Sequence, residues 1–165
     1  MNQFEYKNYK AAIAVDFDST ITEHDDHPDI ASPRLGAKEF MEELRLKNFK
    51  IIIFTGRLNS AFSPDKRTRN YMKKKIAAYL NKNNIPFDEI AEPKDGKPRM
   101  LACLDDRAIG FRGSFNGIIE EIEKMYEEKV TVVRNPAIDQ WLKIMKNPAK
   151  RKKHIEKLER ELDGR

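Results

Sequence analysis

Hydrophobic residues along this chain alternate between unbroken runs and helical spacing. Residues 11 to 15, Ala-Ala-Ile-Ala-Val, are small or β-branched with no polar alternation, the pattern of a strand buried on both faces of a parallel sheet. Lys50-Ile-Ile-Ile-Phe54 repeats that pattern, Ile85 to Ile90 is a third strand interrupted by Pro86, and Met100 to Leu104 is a fourth. Between the runs the spacing changes. Ala37, Phe40, Met41 and Leu44 predict an amphipathic helix over 37–48. Ser63-Pro64-Asp65 reads as a cap followed by proline at the first helical position, with Met72, Ile76, Tyr79 and Leu80 as the buried stripe and Asn81 to Asn84 as the stop. Phe115 to Met125 is a further helix, and Ala149 to Leu162 a basic one with a thin stripe of Ile155, Leu158 and Leu162. This alternation predicts an α/β class: a three-layer, Rossmann-like fold with a central parallel sheet and helices on both faces.

The polar residues that follow the runs carry the chemistry. The first run ends in Asp16-Phe17-Asp18-Ser19-Thr20, the second in Thr55-Gly56-Arg57, the fourth in Asp105-Asp106-Arg107. A buried carboxylate is costly unless paired, hydrogen-bonded or bound to a cation, so Asp16 and Asp18 ask for a metal or a reaction. In parallel sheets ligands bind outside the carboxyl ends of the strands, which gathers the three clusters at one edge.

Composition narrows the class. With 165 residues the chain supports one core, divided here into a catalytic domain over 1–130 and a basic, mostly helical extension over 131–165. No apolar run approaches the ~18 residues of a membrane span, and the first residues lack a signal-type apolar stretch, so a cytoplasmic location is the default. The single cysteine, Cys103, falls inside the fourth run and reads as a buried core residue. Residues 131–165 hold ten Lys or Arg against five Asp or Glu; from totals of 32 and 27 that leaves 22 of each sign before them, so the whole +5 excess sits in this segment. A basic helix is able to contact nucleic-acid phosphates, but Glu156, Glu159, Glu161 and Asp163 dilute the charge and favour a helix docked on the body or a partner chain. Trp141 reads as the packing anchor of that segment. His24-Asp25-Asp26-His27-Pro28-Asp29 resembles a miniature zinc site, yet its ligands are adjacent in a proline-bounded loop, which favours a solvated loop.

Asp16-Phe17-Asp18-Ser19-Thr20, the strand ending at Thr55, Lys97 ahead of the fourth strand and Asp105-Asp106 at its end resemble the four motifs of the haloacid dehalogenase (HAD) superfamily of phosphohydrolases, in order and spacing over residues 11–125. The resemblance implies an HAD-like fold and a phosphomonoester hydrolase acting through an aspartyl phosphate. Asp16 is then the nucleophile and Asp18 the general acid and base; Thr55 and Lys97 face the transferring group, with Lys94 as the rival lysine. Mg2+ is the implied cofactor, held by Asp16, the backbone carbonyl of Asp18 and one of Asp105 or Asp106, the family pattern favouring Asp106 as ligand and Asp105 as outer partner. Ser19, Thr20, Gly56, Arg57 and His24 are assigned to the substrate, His24 at the leaving group; Ser19 stands where many relatives have glycine. Neither insertion point has room for a sizeable cap, so residues 21–35 form at most a flap, with a second subunit of a homodimer as an alternative lid. The implied partner is a phosphorylated small molecule or nucleotide. The alternatives are a phosphatase of nucleic-acid 3′ ends and a non-catalytic HAD-like protein binding a phosphorylated ligand or a partner.

Overall fold

The unbroken run at residues 11–15 forms the centre of the sheet in the computed structural model, which describes residues 8–9, 11–93, 96–108, 117, 121, 124 and 136–164. Strand β1 (Ala11–Asp16) is buried along its five apolar residues. It pairs in parallel with β2 (Phe49–Phe54), setting Ile13 opposite Ile51 and Asp16 opposite Phe54. Its other edge pairs in parallel with β4 (Ala102–Leu104), while β3 (Glu89–Ile90) adds to β2. The order β3-β2-β1-β4 means that the chain winds outward from β1 and then crosses back to its other side. The switch point therefore lies between β1 and β4, the place where α/β sheets bind ligands.

Alternation along the strands divides the core. Ile13, Val15, Ile51 and Ile53 point into one large cluster with Met41 and Leu44 of helix α1 (Ala37–Leu46) and Met72, Ile76 and Leu80 of helix α2 (Lys66–Lys82). Ala12 and Ile52 on the opposite face are buried with Ala91. A parallel sheet buried on both faces, without a cap in the short intervals 17–36 and 91–101, is the three-layer α/β fold that the pattern predicts.

Local chemistry moves several boundaries. Ser63 does not cap α2; its hydroxyl donates to the Arg57 carbonyl (2.7 Å), and Asp65 caps instead, accepting from the Thr68 N–H (2.8 Å). The third strand shortens to two residues. Ile85 still closes α2 through its N–H to Leu80 O (2.9 Å), and the Asp88 carboxylate takes the Ile51 N–H (2.7 Å) that a longer ladder would use. Cys103 is exposed rather than in the core, because β4 is short, lies at the edge of the sheet among the described residues, and has all its side chains exposed. The helix expected over 115–125 lies outside the described residues except at Gly117, Glu121 and Lys124.

Helices α3 (Pro136–Lys146) and α4 (Pro148–Leu162) do not stand apart from the body. Trp141, Met145 and Ile155 belong to the same cluster as the sheet. The Trp141 indole N–H donates to Phe62 O (3.1 Å), Arg151 pairs with Asp65 (2.7 Å), and Arg67 of α2 reaches Glu156 (3.1 Å) and Glu159 (2.7 Å). Two of the acids that dilute the basic helix thus turn inward, leaving Lys150, Lys152, Lys153, Lys157 and Arg160 exposed. Among the described residues no helix is long and apolar enough to cross a membrane.

Candidate active site

Each of the three polar clusters is fixed by the element it terminates. Beyond β1 the chain turns through Phe17–Ile21, with Phe17 and Ile21 buried as plugs. Ser19 sits at φ 61°, in the left-handed region where glycine is free and serine is strained. The turn is held regardless: Arg34 donates to the Ser19 carbonyl (2.7 Å), and the Ser19 N–H donates to Thr22 Oγ1 (3.2 Å). Its result is that Asp18 points toward the end of β2.

There Arg57, 2% exposed, donates from Nε (2.9 Å) and Nη2 (2.7 Å) to the Asp18 carboxylate. Thr55 Oγ1 accepts the Arg57 N–H (3.1 Å) and lies 3.5 Å from Asp18 Oδ2. A forked guanidinium on a carboxylate fixes direction as well as charge. Burial raises the Asp18 pKa, and Arg57 opposes that rise.

The third cluster is latched to the first. The Asp106 N–H donates to Thr20 Oγ1 (3.2 Å), and the Arg107 N–H to Asp105 Oδ1 (2.7 Å). Asp16, Asp105 and Asp106 thereby offer carboxylate oxygens all within 4.8 Å of one another. Burial, then the negative charge of Asp105 with smaller effects from Asp18 and Asp106, pushes the Asp16 pKa up to about 7. A trio of hard oxygen donors with excess negative charge suits a divalent cation that prefers oxygen, as Mg2+ does.

A cavity of about 270 Å3 opens over these groups, lined by Asp16, Asp18, Gly56, Arg57, Asp105 and Arg107, with Asp25, His27, Phe54, Asn59 and Phe62 completing its wall. Two expectations need correction here. His24 is exposed and does not line the cavity; its carbonyl accepts from Thr22 Oγ1 (3.0 Å), which turns the loop so that Asp25 and His27 face inward instead. Lys97 is exposed and also outside the cavity wall; Arg107 is the cation beside Asp106 (3.8 Å), and Lys94 lies outside the described residues.

The loop 21–35 is pinned down by a bridge between Thr22 and Pro33 and by side chains from beneath. Lys75 donates to Pro28 O (2.7 Å) and Tyr79 to Ala31 O (2.9 Å). His27 is consequently 2% exposed, its ring edge-on to Phe62 (4.7 Å) and Trp141 (5.1 Å). Burial, with Arg57 adding to it, pushes its pKa down to about 3, so the ring is neutral. With His24 at the surface and His27 inside, the two histidines do not converge as zinc ligands. The sequence names Asp25 and His27 only within the miniature zinc site and assigns neither Phe54 nor Phe62 a role; Phe54 directly precedes Thr-Gly-Arg, whereas nothing in the sequence marks Phe62.

No family model matches this chain, and no curated protein is similar to it. A solved structure of a conserved protein from Bacteroides thetaiotaomicron is similar at a TM-score of 0.45 and 23% identity, covering 74% of this chain and 98% of that one.

Proposed function

We propose that the protein is a magnesium-dependent phosphomonoester hydrolase of HAD type, working through an aspartyl phosphate on Asp16. The observation that supports this reading is the meeting of Asp16, Asp105 and Asp106 at the switch point, with Asp18 held beside them by Arg57. Bound to Asp16, Asp105 or Asp106, and the Asp18 carbonyl, Mg2+ would supply positive charge against the oxygens of the incoming phosphate. An Asp16 oxygen forms a bond to phosphorus while the ester oxygen departs with a proton delivered by Asp18, the acid of this reading, whose pKa burial raises against the opposing pull of Arg57. Asp18, now a carboxylate, takes a proton from water as that water attacks phosphorus; inorganic phosphate leaves and Asp16 is restored. Thr55 directs Asp18, and Arg107 is the exposed cation at the cavity wall.

The test is turnover of an aryl phosphate with magnesium. Asp16→Asn is expected to lower kcat by roughly three orders of magnitude or more, the scale seen when a nucleophile is removed. Undiminished turnover excludes Asp16; no turnover of any ester alongside measurable binding favours a catalytically idle phosphate-binding protein.

The exposed lysines of α4 favour one variant, an ester carried on the end of a nucleic acid. Deleting the segment is a poor test because Ile155 is in the core. Reversing Lys150 and Lys153 to Glu is the cleaner one: under this variant hydrolysis of a 3′-phosphorylated oligonucleotide weakens and loses part of its salt dependence, while that of an aryl phosphate does not.

A further inference from the structure

The cavity has two chemically distinct ends, and the reaction accounts for only one. Beside the acids, Phe54, Phe62 and His27 make an aromatic wall. Phe54 is the last residue of β2, in register with Asp16, and is 39% exposed, whereas Ile51 to Ile53 before it are buried. The core does not need a phenyl ring there, and its exposure beside the nucleophile costs solvation that a ligand would recover. Phe62 is part-buried, with its backbone held by the Trp141 indole and its ring braced by His27. His27 adds ring packing and no polar contact, because both nitrogens of its ring are buried away from the cavity.

We infer that this wall is a leaving-group subsite for a flat heteroaromatic ring, stacked on Phe54 and Phe62 with its polar edge toward Asn59 and Asp25 of the same lining, so that the preferred substrate is a nucleoside monophosphate. The inference deepens the hydrolase reading and rests on it for the position of the phosphate. At about 270 Å3 the cavity is slightly below the ~300–1,000 Å3 range of small-molecule sites, which suits a single compact ester.

Adenosine 5′-monophosphate and ribose 5-phosphate decide it, since they leave as the same kind of primary alcohol and differ by the base. The ratio of their kcat/KM values cancels any general loss of activity. About a ten- to hundredfold preference for the nucleotide is expected, the range that one stacked base supports, and Phe54→Leu or Phe62→Leu should bring it toward one. Calorimetric binding of the same two compounds to Asp16→Asn protein reads the ratio without turnover. If neither compound is hydrolysed but the nucleotide binds more tightly through Phe54 or Phe62, the hydrolase reading falls and the subsite stands. A ratio near one in both binding and turnover, or one that neither substitution moves, overturns the subsite.

Discussion

Two side chains at the cavity wall should oppose each other in the pH dependence of stability, and removing either should expose the other. Burial lowers the His27 pKa from 6.5 to about 3, and burial with its acidic neighbours raises that of Asp16 from 3.8 to about 7. Between about pH 4 and 6.5 the unfolded histidine is protonated and the folded one is not, so its contribution is complete above 6.5 and is lost as pH falls. The folded aspartate keeps a proton that the unfolded one has released, so its penalty is absent below about 3.8 and complete above about 7. Each group alone gives a slope of at most about 1.4 kcal/mol per pH unit, of opposite sign. Over that window His27, 2% exposed, accounts for about 3 kcal/mol. Asp16 is only part-buried and screened by water, so its share is nearer about 2 kcal/mol. Urea denaturation at a series of pH values in excess chelator measures this. The unsubstituted protein should be nearly flat from these two groups, Asp16→Asn should gain stability as pH rises, and His27→Gln should lose it. Asp105, Asp18 and Asp106 act on Asp16, so the Asp16→Asn slope reports the aspartate together with its acidic neighbours. Parallel pH profiles for the three proteins would refute the reasoning.

Three further outcomes follow from the same contacts. Magnesium at tenfold above its Kd should stabilise the protein by about 1.4 kcal/mol near pH 7.5, less at pH 5 where Asp16 holds its proton, and not at all in Asp16→Asn, as read by thermal melts. Arg57→Ala leaves the part-buried Asp18 carboxylate without its forked partner and should cost about 3–5 kcal/mol in urea denaturation; Arg57→Lys should restore part of the stability but not the turnover of an aryl phosphate, because an ammonium lacks the fork. Thr20→Val removes the acceptor of the Asp106 N–H and should cost about 1 kcal/mol of stability and weaken the magnesium effect in the same melts.

The order of legibility follows the range of the interactions involved. β1 and β2 were readable because their burial on both faces is written in consecutive residues, and Asp16, Thr55 and Asp106 because a parallel sheet brings the carboxyl ends of its strands together whatever the loops do. β3 was overestimated because apolar spacing does not reveal that the Asp88 carboxylate replaces a ladder bond at Ile51. The start of α2 was misplaced for a similar reason: Ser63 has the chemistry of a cap, and only the neighbouring Arg57 carbonyl decides that its hydroxyl bonds elsewhere.

The loop residues were illegible for a reason that bears on the site itself. His24 and His27 are three residues apart with the same side chain, and the choice between them is made by groups far along the chain: Lys75 and Tyr79 of α2 hold Pro28 and Ala31, and Trp141 of α3 closes on the His27 ring. Lys97 differs in kind, since its expected role came from family spacing, while it lies exposed in the loop ahead of β4. The acidic end of the cavity is thus set by sheet topology and the aromatic end by docking of α2 and α3, so substitutions at the α3 contact should alter selectivity before they alter the chemistry at Asp16. Trp141→Phe keeps the ring contact with His27 and removes the hydrogen bond to Phe62 O (3.1 Å), which makes it the mildest way to separate the two ends.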